Sequence, residues 1–201
     1  LPWIDEYQVV RGLEVVNKFR SELEYLDFAR HIDDVEKVRR KDGSFVVSTK
    51  GGADLEAKAL IVATGARQVR MGIPGEKEFT MKGLCYSALS YAPLFIDKTT
   101  IVIGYGDLAL RSAAELATVA RHVYMVCGSD KILSTPIGKK LSAAANVTIL
   151  KDSEVLEVKG DQYARVLCLK DKSGKTVEYQ TDAIFVEKAL TPNSDMVKDM
   201  V

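Results

Sequence analysis

Apolar side chains in residues 7–26 (YQVVRGLEVVNKFRSELEYL) fall at Val9, Val10, Leu13, Val16 and Leu23, with charged residues between them. That spacing is one face of an α-helix. Gly12 interrupts it at a cost of about 1 kcal/mol relative to alanine. Beyond residue 26 the period shortens and turn-forming residues multiply. Strands are predicted over residues 28–32, 34–39, 45–49 and 59–62, with turns at Lys41–Ser44 and Lys50–Ala53. Residues 66–74 read as a crossing segment, and Gly72, Pro74 and Gly75 mark a break between domains. Residues 76–98 predict only a loop and a short helix. A helix follows at 136–145, with Pro136 in its first turn, where a missing N–H costs little. Val147–Leu150 is a short strand. Residues 154–159, 165–170 and 176–180 alternate apolar and polar positions as a meander, turning at Asp171–Gly174. Residues 183–186 are apolar throughout, as a buried strand requires. Residues 190–194 read as a loop.

The stretch between these blocks, TTIVIGYGDLALRSAAELATVARHVYMV at 99–126, carries the most chemistry. An apolar strand runs into Gly104-x-Gly106-x-x-Ala109, then a helix, then a second apolar strand. This is the opening of a dinucleotide-binding βαβ unit. Gly104 lets the chain turn out of the strand. Gly106, lacking a Cβ, lets a pyrophosphate approach the backbone, and Ala109 lets the helix pack close to the sheet. The helix start then offers free N–H groups and a partial positive charge to phosphate. The phosphate turn therefore comprises Gly104, Gly106, Asp107, Leu108 and Ala109. Asp107 suits the helix dipole but repels phosphate. Tyr105, between the glycines, reads as a surface-facing ring.

Composition narrows the class. The 28 Lys+Arg balance the 28 Asp+Glu, and no basic tract marks a nucleic-acid or anionic-membrane surface. No apolar run approaches the roughly 20 residues that span a bilayer. The opening LPWIDEY lacks the regions of a signal peptide. A first residue of Leu rather than Met suggests a fragment or processed chain. Cys85, Cys127 and Cys168 are scattered and odd in number, which fits a reducing cytoplasm better than a disulfide framework. His31 and His122 form no metal cluster with them. The chain is an α/β protein with no metal site and no convincing catalytic acid, base or nucleophile.

Five pieces in order resemble the pyridine-nucleotide-disulfide oxidoreductase superfamily, and within it the thioredoxin reductase branch. Ala59–Gly65 (ALIVATG) resembles the strand and A-T-G turn of the flavin domain, and Gly72–Glu76 (GIPGE) resembles the segment after it. Gly83–Ser90 (GLCYSALS) sits where the branch carries its redox cysteines. The Gly104–Ala109 turn matches the nicotinamide-nucleotide turn. Phe185–Asn193 (FVEKALTPN) resembles the F-V-A-I-G-x-x-P-N strand and loop. The resemblance implies a Rossmann-like nucleotide-binding domain, a parallel sheet with a β-hairpin/meander layer, plus part of a split flavin-binding domain. Residues 1–75 would be the flavin-domain segment, 76–190 the NAD(P)-binding domain, and 191–201 the start of the return to the flavin domain. It also implies Thr64, Gly65 and Ala189 as cofactor-contacting positions. FAD would belong to a longer parent and would not be bound by these residues alone, since the flavin turn and the G-D motif are missing.

Three departures matter. Ser87 and Ser90 stand where the branch has its two cysteines; a hydroxyl, with its far higher pKa, cannot attack a disulfide as a thiolate does. Either serine was introduced, or a natural homologue has lost disulfide exchange, and Tyr91 in place of the expected acid favours the latter. Cys85 reads as a small half-buried residue. At the tip of the second strand, Cys127-Gly128-Ser129-Asp130 replaces the H-R-R of the branch. No arginine remains for a 2′-phosphate, while Ser129 and Asp130 are within reach of a ribose, so NADH is favoured over NADPH. A plain β-turn with no ligand role stays open at that tip. Glu187-Lys188 replaces small or apolar residues and reads as a solvated strand end; Ala189 in place of glycine narrows the space beside the nicotinamide.

The expectation is an NAD(P)H-binding segment of a flavin-dependent oxidoreductase without its redox disulfide. Its partners would be a nicotinamide dinucleotide and an electron-transfer protein, with neither nucleic acid nor membrane; a homodimer is compatible. The alternative is a non-catalytic nucleotide-sensing or protein-docking module with a degenerate site. A short-chain dehydrogenase fits poorly, because no Tyr-x-x-x-Lys follows the fourth strand.

Overall fold

A computed structural model describes residues 12–26, 28–128 and 130–200. The chain divides into two compact units, Leu1–Ile61 with Met196–Val201, and Val62–Asp195.

The first unit contains helix α1 (Gly12–Tyr25) and strands β1 (Val35–Lys41), β2 (Ser44–Thr49) and β3 (Asp54–Ala57), paired antiparallel in the order β1-β2-β3. Asp42 and Gly43 both take positive φ between β1 and β2, the two-residue geometry whose twist matches that of the strands. Val38, Val47 and Val197 form a small core with Phe45, Leu60, Met196 and Met200. Helix α1 bears out the helical spacing over its described length; residues 7–11 of that prediction lie outside the described residues. Its stripe Leu13, Val16 and Leu23 is exposed.

Two predicted strands do not form. Residues 28–32 and 59–62 are irregular, with Ile32 98% and Ile61 90% exposed. An extended run becomes a strand only where a neighbour takes its N–H and C=O groups, and no described strand lies beside either. Conversely β3, with two acids in four residues, is carried by its ladder with β2 rather than by its own propensity.

The second unit begins with strand β4 (Ala66–Gln68), helix α2 (Glu76–Phe79), strand β5 (Leu84–Cys85) and helix α3 (Ala88–Tyr91), which continues into a 3₁₀ turn at Ala92–Phe95. Strand β6 (Thr99–Ile103), helix α4 (Asp107–Val119) and strand β7 (His122–Cys127) follow. Then come helices α5 (Asp130–Leu133) and α6 (Pro136–Ser142), and strands β8 (Val147–Lys151), β9 (Glu154–Gly160), β10 (Ala164–Lys170), β11 (Thr176–Gln180), β12 (Ala183–Val186) and β13 (Leu190–Pro192). A five-stranded parallel sheet runs β5-β12-β6-β7-β8. Strands β9, β10 and β11 form the antiparallel meander read from their alternation, and β4 pairs antiparallel with β13 inside segments predicted as loop.

Alternation along the central strands builds three layers. Val102, Met125 and Phe185 face one way and pack with Ala109, Leu110, Ala113 and Leu116 of α4. Ile101, Ile103, Val126, Ile184 and Val186 face the other way and pack with Val158, Leu167 and Leu169 of the meander. Both faces of the sheet are covered, so its central strands carry continuous apolar runs at residues 101–103, 125–127 and 183–186 rather than alternating. The α/β, Rossmann-like class with a meander layer is the observed fold. Among the described residues, no helix is long and apolar enough to cross a membrane.

Leu116 is fully buried between α4 and the sheet. Leu116→Ala is expected to lower stability by about 2–5 kcal/mol, and Lys172→Ala in the exposed meander turn by under about 0.5 kcal/mol; chemical denaturation of the two variants checks this.

Candidate functional site

At the C-terminal end of β6 the chain passes through Gly104, which is buried and donates its N–H to the Val126 carbonyl at 3.1 Å. A Cβ built on Gly104 would stand 2.3 Å from the Glu187 carbonyl oxygen and 2.6 Å from the Ala109 Cβ. Glycine is therefore demanded there by close approach of three segments. Gly106 differs. Its φ of −138° and ψ of −174° are extended values open to any residue, and a Cβ there would meet nothing within 4 Å. Neither strain nor packing accounts for this glycine, which faces open space at the start of α4. Gly106 is also the N-cap of the 13-residue α4 and offers no side chain to its first N–H groups. Room for a ligand and unsatisfied donors thus coincide. Asp107 is exposed at the first helical position, Leu108 is half-buried, and Ala109 is fully buried against the sheet.

The tip of β7 is partly covered. A Cβ on Gly128 would lie 3.1 Å from two ring atoms of Tyr105. The Tyr105 ring is surface-facing, 46% exposed, and lies along this tip. Asp130 opens α5; Ser129 lies outside the described residues.

Thr64, Gly65 and Ala189 are held in a separate constellation. The Thr64 hydroxyl donates to the Asn193 carbonyl at 2.6 Å, the Asn193 side-chain amide returns a bond to the Thr64 carbonyl at 3.1 Å, and Asn193 N–H donates to the Gly65 carbonyl. Gly65 takes φ +67°, and the Ala189 carbonyl accepts from Val69 N–H at 3.0 Å. These contacts tie the A-T-G turn to the P-N loop through the β4–β13 ladder, and no bond among them involves residues 104–109.

Two buried carboxyls stand near these features. Glu187 is 2% exposed, not a solvated strand end. One of its oxygens accepts from Ala88 N–H at 2.7 Å, at the start of α3, and from the Ser112 hydroxyl of α4 at 3.0 Å. Burial pushes its carboxyl above the ordinary range, and those two hydrogen bonds pull back only part of the rise. Glu76 is 3% exposed. Burial raises it too, but N–H bonds from Met71 and Gly72, both 2.7 Å, and the Tyr86 hydroxyl at 2.9 Å bring it below the ordinary range. The signal for Glu187 was present in the sequence: an acid directly after the continuous apolar strand AIFV.

Helix α3 carries the Ser87-Ala-Leu-Ser90 segment, with Ser87 extended and half-buried at its N-cap. Cys85, Cys127 and Cys168 form no disulfide, and burial raises the thiol of the half-buried Cys85. Among the described residues no group of His, Cys, Asp and Glu could hold a metal.

A parallel sheet with a glycine turn opening onto an uncapped helix defines a Rossmann-like module. The model for "Pyridine nucleotide-disulphide oxidoreductase" matches residues 3–200, and the chain belongs to that family. It is 35% identical over 158 residues to the F component of alkyl hydroperoxide reductase of Pseudomonas aeruginosa, covering 77% of this chain and 30% of that protein. It is 30% identical over 167 residues to an NADH dehydrogenase of Bacillus subtilis, covering 82% and 33%. The chain thus spans about a third of these relatives' length. Thioredoxin reductase of Lactococcus lactis superposes with a TM-score of 0.74 at 26% identity, over 100% of this chain and 67% of that one. Thioredoxin reductase of Streptococcus pyogenes gives 0.73 at 27%, over 96% and 64%. The chain is related to flavin-dependent oxidoreductases of this kind.

Gly104→Ala is expected to lower stability by about 1–3 kcal/mol, because the Glu187 carbonyl must move, and Gly106→Ala by under about 0.5 kcal/mol; thermal melting compares them. Glu76, held below its ordinary value, contributes stability that is present above about pH 4.3 and lost as pH falls through its folded value. Glu76→Gln is expected to cost about 1–3 kcal/mol near neutrality, and denaturation midpoints from pH 7 to 3 should show the gap to wild type closing as pH falls.

Proposed function

We propose that this chain is the pyridine-nucleotide-binding portion of a flavin-dependent oxidoreductase that does not perform its own disulfide exchange. The observation that carries this is Gly106: a glycine that backbone strain and packing leave unexplained, facing open space before an uncapped helix N-terminus. Gly104, Gly106, Leu108 and Ala109 would cradle the pyrophosphate, with Asp107 tuning affinity downward by its charge. Ser129 and Asp130 would meet the adenosine ribose. With no arginine at the Cys127–Asp130 tip and the Tyr105 ring against Gly128, NADH is preferred over NADPH. When bound, the nicotinamide would supply a hydride for a flavin held by a longer parent. Thr64, Gly65 and Ala189 would contact cofactor from the β4–β13 side, and their bonds to Asn193 and Val69 keep that segment in register. Residues 1–75 and 191–201 would belong to the flavin domain and 76–190 to the nucleotide domain. Ser87 and Ser90 occupy the redox positions without sulfur, so electrons would leave to a separate electron-transfer protein, in the cytoplasm that three scattered cysteines without a disulfide favour.

A second reading, nucleotide sensing without turnover, is favoured by two observations: the exposed acid at Asp107 and the Tyr105 ring lying over Gly128, both of which weaken a phosphate or ribose contact.

Calorimetric titration with NADH and NADPH tests the site. Saturable NADH binding is expected, weaker for NADPH, and Gly106→Val should weaken NADH at least tenfold with the melting temperature unchanged; no saturation at millimolar NADH overturns the proposal. Bleaching of flavin by NADH in the full parent separates the two readings, because the sensing module binds without bleaching.

A further inference from the structure

We infer that Glu187 is a positioning residue of the dinucleotide site, and that dinucleotide binding draws a proton from solvent onto its carboxyl. The inference rests on the nucleotide reading of the Gly104–Ala109 turn.

The Glu187 backbone is part of that turn's wall. Its N–H donates to the Ile103 carbonyl at 2.7 Å, and its own carbonyl closes over Gly104, leaving space only for hydrogen. Its side chain then reaches behind the turn and bridges two helices, holding the start of α3 through Ala88 N–H and the flank of α4 through the Ser112 hydroxyl. Ser112 lies five residues after Asp107 on α4, so at 1.5 Å per residue the carboxyl sits about 8 Å along the axis from the helix start. A pyrophosphate seated at that start and an ionised Glu187 would be two anions separated by about one and a half helical turns.

The space between them does not screen the charges. Glu187 and Ser112 are 2% and 0% exposed, and Ala109, Leu110 and Ala113 around them are apolar and buried. Mobile salt cannot enter, and the effective dielectric is well below that of water. Among the described residues, the groups that hydrogen-bond to the carboxyl are neutral donors, Ala88 N–H from α3 and the Ser112 hydroxyl from α4. The ionisable groups on the surrounding elements are Cys85 on β5, Tyr91 on α3, Asp107, Arg111 and the exposed Glu115 on α4, and the adjacent Lys188. Asp107 and Arg111 are exposed, and among the described residues neither Arg111 nor Lys188 forms an ion pair. Among the described residues no cation pairs with Glu187. Burial already favours its protonated form, and an incoming pyrophosphate favours it further. By reciprocity, whatever the ligand does to the proton, the proton does to the ligand. Protonation is therefore expected to tighten the site without breaking the bridge, since a carboxylic acid keeps an oxygen that accepts from Ala88 and Ser112.

The test is calorimetry of NADH with the full chain between pH 5 and pH 8, in buffers of different ionisation enthalpy. Wild type is expected to take up a net fraction of a proton on binding, with affinity falling several-fold as pH rises. Glu187→Gln is expected to bind with no proton uptake, flat with pH, and several-fold tighter than wild type at pH 8. Proton uptake that persists in Glu187→Gln, or wild-type affinity independent of pH, overturns the inference. Failure of both proteins to bind NADH at any pH overturns the underlying nucleotide reading instead, and the inference with it. If Glu187→Gln does not fold, Ser112→Ala serves. Removing one donor favours the protonated carboxyl, so the midpoint of the affinity profile should move to higher pH; an unmoved midpoint rejects the linkage.

Discussion

Everything in the second unit is arranged around one close approach, where β6, the loop after β12 and the first turn of α4 meet at Gly104. The Glu187 carbonyl and the Ala109 methyl together leave no room for a Cβ on that residue. The contact sets how near α4 lies to the sheet, and hence how tightly Leu110, Ala113 and Leu116 press on Val102, Met125 and Phe185. It also sets where the helix starts, which fixes the direction of its free N–H groups. Stability and the candidate site share the same few atoms.

Glu76 and Glu187 show that burial alone does not decide the fate of a carboxyl. Both are almost wholly removed from water. Glu76 collects two backbone N–H bonds and a tyrosine hydroxyl at a chain turn, and these outweigh desolvation. Glu187 collects one N–H and one serine hydroxyl among apolar neighbours, and desolvation wins. The difference is a count of donors, each stabilising the charged form by a modest amount. Glu76 is thereby a fixed structural anion clamping the segment around Gly72, whereas Glu187 is left able to change its protonation state when a neighbouring charge arrives.

Much of this was legible in the residues, and the parts that were not share a cause. The 99–126 stretch encodes its own strand, turn and helix, so the βαβ unit follows from local pattern and small residues alone. Strand β11 of the meander alternates because one face is wet, and the central parallel strands carry continuous apolar runs because both faces are covered. Residues 28–32 and 59–62 have the same apolar look but no described ladder partner, so propensity had nothing to act on. Strand β3 is the converse, polar in composition and extended because β2 lies beside it. The position of the Tyr105 ring against Gly128 and the bridge from Glu187 to Ala88 and Ser112 join residues far apart in the chain. A one-dimensional pattern carries no information on such distances.

The departures from the family pattern are concentrated where the site's parts meet. Ser87 stands at the N-cap of α3 and Ser90 within it, an acid bridges α3 to α4, and an aromatic ring lies along the tip of β7. A thiol pair acts by exchanging bonds and must be presented to a partner, whereas the bond from Glu187 to the start of α3 holds that helix against α4. On the proposed reading, the serines at positions 87 and 90 and the buried bridge act in the same direction: both would suit a module in which the nucleotide half is braced and exchange chemistry is done elsewhere. On that reading the buried acid is not an isolated oddity, because the helix whose start it holds is the one that carries the Ser87-Ala-Leu-Ser90 segment.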